Sequence, residues 1–193
     1  MRFLGYLAMV IALGVAGATA WCAVEVPASP VASGAKAKNW SPPPAKIYAQ
    51  ALADEIMAKH AELLSVTLHG VPPGLTGIYT MFAGSYPERI GNPDDPDDID
   101  VITKGITIID PRWHRTKDAQ RKFVVQLPLR DGSGDNVGLL VLAYKNERNP
   151  SNDGKIELDF FRRAVALRDS LERQIPGYAA LFEPATQHSA KTQ

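Results

Sequence analysis

Residues 123–144 read FVVQLPLRDGSGDNVGLLVLAY. Two apolar arms flank a seven-residue stretch, Arg130 to Asn136, rich in Gly and Asp. Gly and Asp reach the positive-φ conformations that a tight reversal needs, so the stretch predicts a long β-hairpin. The return arm, Val137 to Tyr144, is almost wholly apolar, which predicts a central strand buried on both faces. Pro128 has no backbone donor and is expected at a bulge or where no ladder bond is needed.

After the hairpin, Ile156, Phe160, Ala164, Leu167, Leu171 and Ile175 recur at helical spacing and stop at Pro176-Gly177. This is the clearest helical stripe in the chain. Residues 184–193 are polar and are expected to fray. On the other side of the hairpin, residues 111–122 read as a loop, and residues 105–110 as a short edge strand. Asp95 can cap a short helix that has Pro96 first, Asp97 and Asp98 in its first turn and Gly105 as its stop. Gly77 to Ala83 is a strand. With the alternating segment Ser65 to Val71 and the turn Pro72-Pro73-Gly74, it predicts an antiparallel hairpin. Alternation puts Val66 and Leu68 on one face, and Thr67 and His69 on the other. Tyr48, Leu52, Ile56, His60 and Leu63 form a helical stripe over about residues 44–63.

Strands paired locally and helices at both ends give an α+β domain with an antiparallel sheet. Each terminal helix must bury its stripe, and both are expected on one sheet face.

The ends of the chain bear on compartment. Arg2 is followed by an uncharged apolar run from Phe3 to Ala20 that ends Ala18-Thr19-Ala20. This reads as a secretory signal peptide with a cut after Ala20, the alternative being a retained anchor. Cys22 follows Trp21 rather than a small residue directly at the cut, which departs from a lipoprotein pattern. Cleavage would remove Arg2 and leave a formal charge of −1. Residues 21–43 read as a flexible linker and residues 179–193 as a tail. No second membrane span is expected, so the mature protein is expected to be periplasmic or secreted.

Composition excludes several function classes. Apolar residues are 45% and charged residues 22% of 193, which is globular. Lys+Arg and Asp+Glu are both 21, so no basic excess is available for a nucleic-acid backbone. One Cys rules out an internal disulfide framework and a Cys-rich zinc module.

With these elements in place, the chain resembles the Cache branch of PAS-like sensor domains over about residues 44–178. The residues that carry the resemblance are the leading helix, Val66 to Pro72, Arg89 to Asp95, and Leu127-Pro128-Leu129-Arg130-Asp131 with Gly134 and Val137-Gly138 behind. The resemblance implies a single domain with a five-stranded antiparallel sheet, long N- and C-terminal helices and a small-molecule pocket used for extracytoplasmic sensing. Cache receptors reach an output module through a second span. Here a separate partner chain would have to supply one.

No catalytic set converges in the sequence. There is no HExxH, GxSxG, GxGxxG or Walker pattern. The acidic run Asp94, Asp95, Asp97, Asp98, Asp100 lacks EF-hand spacing, and reads as a capped helix start with a solvated face. No metal ligand is assigned, and no cofactor is identified. His69 is the residue that could hydrogen-bond a ligand or bind haem if its face lines a pocket; otherwise it is a surface histidine. Tyr79, Arg89, Trp113 and Arg130 are the other ligand-binding candidates, since an organic acid would suit an Arg fork and an aromatic wall. His60 is expected to be packed on its helix, and His188 to lie in the tail. Three functions stand: a non-enzymatic sensor-like binder of a small molecule, an envelope accessory protein acting through a partner, and an enzyme with an unrecognised site.

Overall fold

The computed structural model describes residues 37–110, 121–146 and 153–189. The expected signal peptide, its expected cleavage site and most of the expected linker lie outside these residues, as does Trp113. No helix among the described residues is long and apolar enough to cross a membrane.

The architecture is α+β, with one five-stranded antiparallel sheet and four α-helices among the described residues. In chain order these are α1 (Tyr48–Lys59), β1 (Leu63–Gly70), β2 (Thr80–Gly84), α2 (Pro96–Lys104), β3 (Ile108–Ile109), β4 (Lys122–Arg130), β5 (Asn136–Lys145), α3 (Asp153–Glu172) and α4 (Thr186–Ser189). The strand order is β2-β1-β5-β4-β3. The Phe123–Tyr144 segment is the expected hairpin, and β5 is the central strand. Asp131 closes the turn, its Oδ1 accepting from the amides of Ser133 at 2.9 Å and Asp135 at 3.2 Å. Pro128 sits beside the register shift at Leu129/Arg130 and beyond the two residues that β3 pairs.

Alternation then divides the side chains. Val66, Leu68, Phe123, Val125, Leu127, Leu129, Leu140, Leu142 and Tyr144 share one buried cluster with Leu52 and Ile56 of α1 and Ala164 and Leu171 of α3. Tyr144 stacks on Phe160 at 4.8 Å. This face carries the apolar burial on which most of the stability rests. Thr67, His69, Gln126, Leu139 and Val141 take the opposite face, and α2 packs on the strands there.

Three details differ from the expectation. α1 stops at Lys59, so His60 caps the helix end and meets Glu62 at 3.3 Å rather than extending the apolar stripe. β2 starts at Thr80, three residues after Gly77, which turns with φ +68°. The segment after residue 183 does not fray in its described part. Pro184 pairs with Ile47, and His188 stacks on Tyr48 at 4.0 Å. An aromatic partner on α1 accounts for that order, and polar composition alone could not reveal it.

Leu142 is fully buried in the helix-side cluster. Leu142→Ala is expected to lower unfolding stability by about 2–5 kcal/mol, read by denaturant titration. A loss below about 1 kcal/mol would contradict the burial of this face.

Candidate functional site

The face under α2 is where polar side chains are buried. Sheet register builds it in rows. Thr67 pairs with Val141, which pairs with Gln126; His69 pairs with Leu139, which pairs with Pro128. Thr67, His69 and Gln126 therefore project from β1 and β4 on either side of an apolar β5. Gly138, next to this row, approaches the His69 backbone so closely that an added Cβ would lie 2.5 Å from the His69 carbonyl oxygen. A side chain there would push β1 away.

The loop after β2 brings the acids. It runs back along the β2 edge: the Gly91 amide donates to Met81 O at 2.8 Å, the Met81 amide to Asn92 O at 3.2 Å, and the Asp94 amide to Tyr79 O at 3.2 Å. Thr80 Oγ1 also donates to Asn92 O at 2.8 Å. Gly91 has φ +86° and faces the Trp40 carbonyl, where a Cβ has no room. These bonds fix Asp94 immediately before α2. Asp95 then caps α2 in a capping box with Asp98, whose Oδ2 accepts from the Asp95 amide at 3.2 Å.

The result is one connected cluster. His69 Nδ1 lies 2.7 Å from Asp94 Oδ1, and His69 Nε2 lies 2.7 Å from Thr67 Oγ1. Gln126 Nε2 donates to Asp97 Oδ2 at 2.8 Å and to Asp98 Oδ1 at 2.9 Å. His69 is 6% exposed, Gln126 is fully buried, and the Asp94 side chain is fully buried. One ligand atom from each of His69, Asp94 and Asp98 falls within 4.8 Å of the others. Two acceptors in the cluster, Asp94 Oδ2 and Gln126 Oε1, are buried without a protein partner. An orphaned buried acceptor forgoes the hydrogen bonds it had in water, so it calls for a donor or a cation.

Electrostatics agree with this arrangement. Burial pulls the His69 imidazole down, but the Asp94 hydrogen bond and the Asp94 and Asp98 charges outweigh it, leaving the group above its ordinary value; the Arg89 charge opposes them. Burial pushes the Asp98 carboxyl up, with Asp94 adding to the rise and His69 opposing it. The site favours positive charge and bound protons.

The candidates named from the sequence separate here. His69 is in the cluster, and its face is covered, not open to solvent. Nδ1 faces Asp94 Oδ1 and Nε2 faces Thr67 Oγ1, each at 2.7 Å. Tyr79 contributes through its backbone, which holds the Asp94 amide. Arg89 is exposed in the short 3₁₀ turn Pro87–Arg89 and lies over the Tyr86 ring, 5.4 Å from its centroid. Arg130 is exposed at the end of β4. Thus Tyr79, Arg89 and Arg130 do not form an Arg fork with an aromatic wall. The acidic run caps α2 as expected, but its face is not simply solvated: Asp94, Asp97 and Asp98 turn toward β1 and β4. Asp94, Asp98 and Gln126 were missed as site residues. A signal for Gln126 existed, since it is the lone amide inside an apolar strand.

The sign of the pH response follows from the two raised groups. A raised folded-state pKa contributes stability that is fully present below the unfolded value. That contribution is lost as pH rises through the folded value. For His69 the unfolded value is about 6.5. With chelator present, the thermal midpoint is expected to fall as pH rises from about 6.5 through the folded His69 value, and Asp94→Asn to flatten that fall. Imidazole NMR titration should place His69 above about 6.5; a lower value would contradict the pairing. Comparison with protein-family models, curated proteins and solved structures found no match for this chain.

Proposed function

We propose that the chain is an exported, sensor-like ligand-binding domain of the Cache/PAS-like kind. Its recognition centre is the cluster between α2 and the sheet. The five-stranded antiparallel sheet with helices on both faces supports this reading. The observation that carries it is the pair of buried, unpartnered acceptors, Asp94 Oδ2 and Gln126 Oε1, on side chains otherwise fixed by hydrogen bonds. A core that only needed filling would favour apolar residues at these positions, because half-satisfied polar groups cost stability.

The chemistry selects the ligand class. Three carboxylates converge, so an organic acid would meet repulsion. A compound that presents hydrogen-bond donors or positive charge matches the centre. Thr67 Oγ1, the His69 imidazole and the Asp94 carboxylate do lie in line, as in a hydroxyl nucleophile with its base. Thr67 is only 7% exposed, however, and β2, β5 and α2 enclose it. The same cover bears on recognition: the matching ligand is one small enough to lodge beside Asp94 Oδ2.

Thermal shift of the chain recovered from the periplasm of an expression host tests this. Among amines, amino acids, divalent cations and organic acids, cationic or donor-rich compounds are expected to raise the midpoint, and Asp94→Asn to abolish the rise. A panel without any shift would overturn the reading, as would an organic-acid shift that survives Asp94→Asn.

A further inference from the structure

We propose that His69, Asp94 and Asp98 form a binding site for a divalent first-row transition cation. The inference rests on the reading of the α2-covered cluster as a recognition centre and names its occupant. The first support is convergence. One imidazole nitrogen and two carboxylate oxygens, drawn from β1, the loop before α2 and α2 itself, already lie within 4.8 Å of one another. Tetrahedral zinc holds its nitrogen and oxygen ligands at about 2.0–2.2 Å, which sets ligand-to-ligand separations of about 3.4 Å. Binding would part His69 Nδ1 from Asp94 Oδ1, now 2.7 Å apart, and draw Asp98 in.

The second support is independent of the convergence. The Asp94 side chain is fully buried, and its Oδ2 has no partner. A carboxylate needing only the His69 contact would leave that oxygen in water, or give it a backbone amide. Here the loop's pairing with β2 holds the carboxylate inside, with one acceptor idle.

The third support is the second ring nitrogen. His69 Nε2 is 2.7 Å from Thr67 Oγ1. Nδ1 lies 2.7 Å from Asp94 Oδ1, a contact that a proton bridges when no cation is bound. A metal ion replaces that proton, while Thr67 fixes the ring as an outer partner. Gln126 plays the corresponding part for Asp98, its amide donating to Oδ1.

The donor set also chooses among cations. Mixed nitrogen and oxygen ligands suit Zn²⁺ and Mn²⁺, whereas Ca²⁺ takes about six to eight oxygens. Zinc itself is the probe. Calorimetric titration of chelator-stripped protein is expected to show one Zn²⁺ per chain that a tenfold excess of Ca²⁺ does not displace. His69→Gln, Asp94→Asn and Asp98→Asn should each weaken binding at least tenfold, and Asp159→Asn, on the exposed surface of α3, should leave it unchanged. Should the buried substitutions unfold the protein, Asp98→Asn remains, since that side chain is only partly buried. The wild type can also be read alone, by the shift of its His69 ring resonances on adding Zn²⁺. No zinc binding, or binding untouched by Asp98→Asn with His69 resonances unmoved, overturns the metal site. If an amine still raises the midpoint in that case, only the metal assignment fails; if nothing does, the recognition centre fails with it.

Discussion

A five-stranded sheet with an apolar central strand must be covered on both faces, and its two covers are unequal. β5 presents Leu140, Leu142 and Tyr144 to one side and Leu139 and Val141 to the other. On the first side, two helices bring apolar stripes. On the second, α2 has nine residues, and Val101 is its only fully buried apolar side chain among the described residues. Part of the remaining cover comes from its first turn, which is acidic. Burying carboxylates on a sheet requires partners, and the sheet supplies them as His69, which Thr67 holds from its other ring nitrogen, and Gln126.

That constraint explains why the polar groups occur together. α2 is held at both ends. Its start is fixed by the capping box and by the loop paired along β2. Its end is fixed by the Asn136 amide, which donates to Ile102 O at 2.8 Å, and by Gly105 in the left-handed conformation. With the helix clamped, Asp97 and Asp98 fall over Gln126, and Asp94 falls beside His69. Two acceptors in the cluster remain unanswered by protein, and the proposed recognition centre is built on them.

Much of this was legible in order, and little of it in space. The hairpin from Phe123 to Tyr144 announced its own register through alternation and turn residues. The Asp95–Pro96 start and Gly105 stop of α2 are local chemistry, so they could be read directly. The division of β1 into Val66/Leu68 and Thr67/His69 followed from the pleat. The meeting of His69 with Asp94, 25 residues on, depends on the loop doubling back along β2. No periodicity encodes that return. The acidic run therefore looked solvated, and Arg89, in the same loop, looked like the pocket residue. The loop instead turns Asp94 inward and leaves Arg89 on the surface.

The most direct measurement is a high-resolution crystal structure of protein purified without chelator, inspected at Asp94 Oδ2. Density for a bound cation or a ligand donor group is expected there, in contact with Asp94 and within reach of His69 and Asp98. An Asp94 carboxylate swung out to solvent, or one answered only by a protein amide or a lone ordered water, would contradict a recognition centre beneath α2.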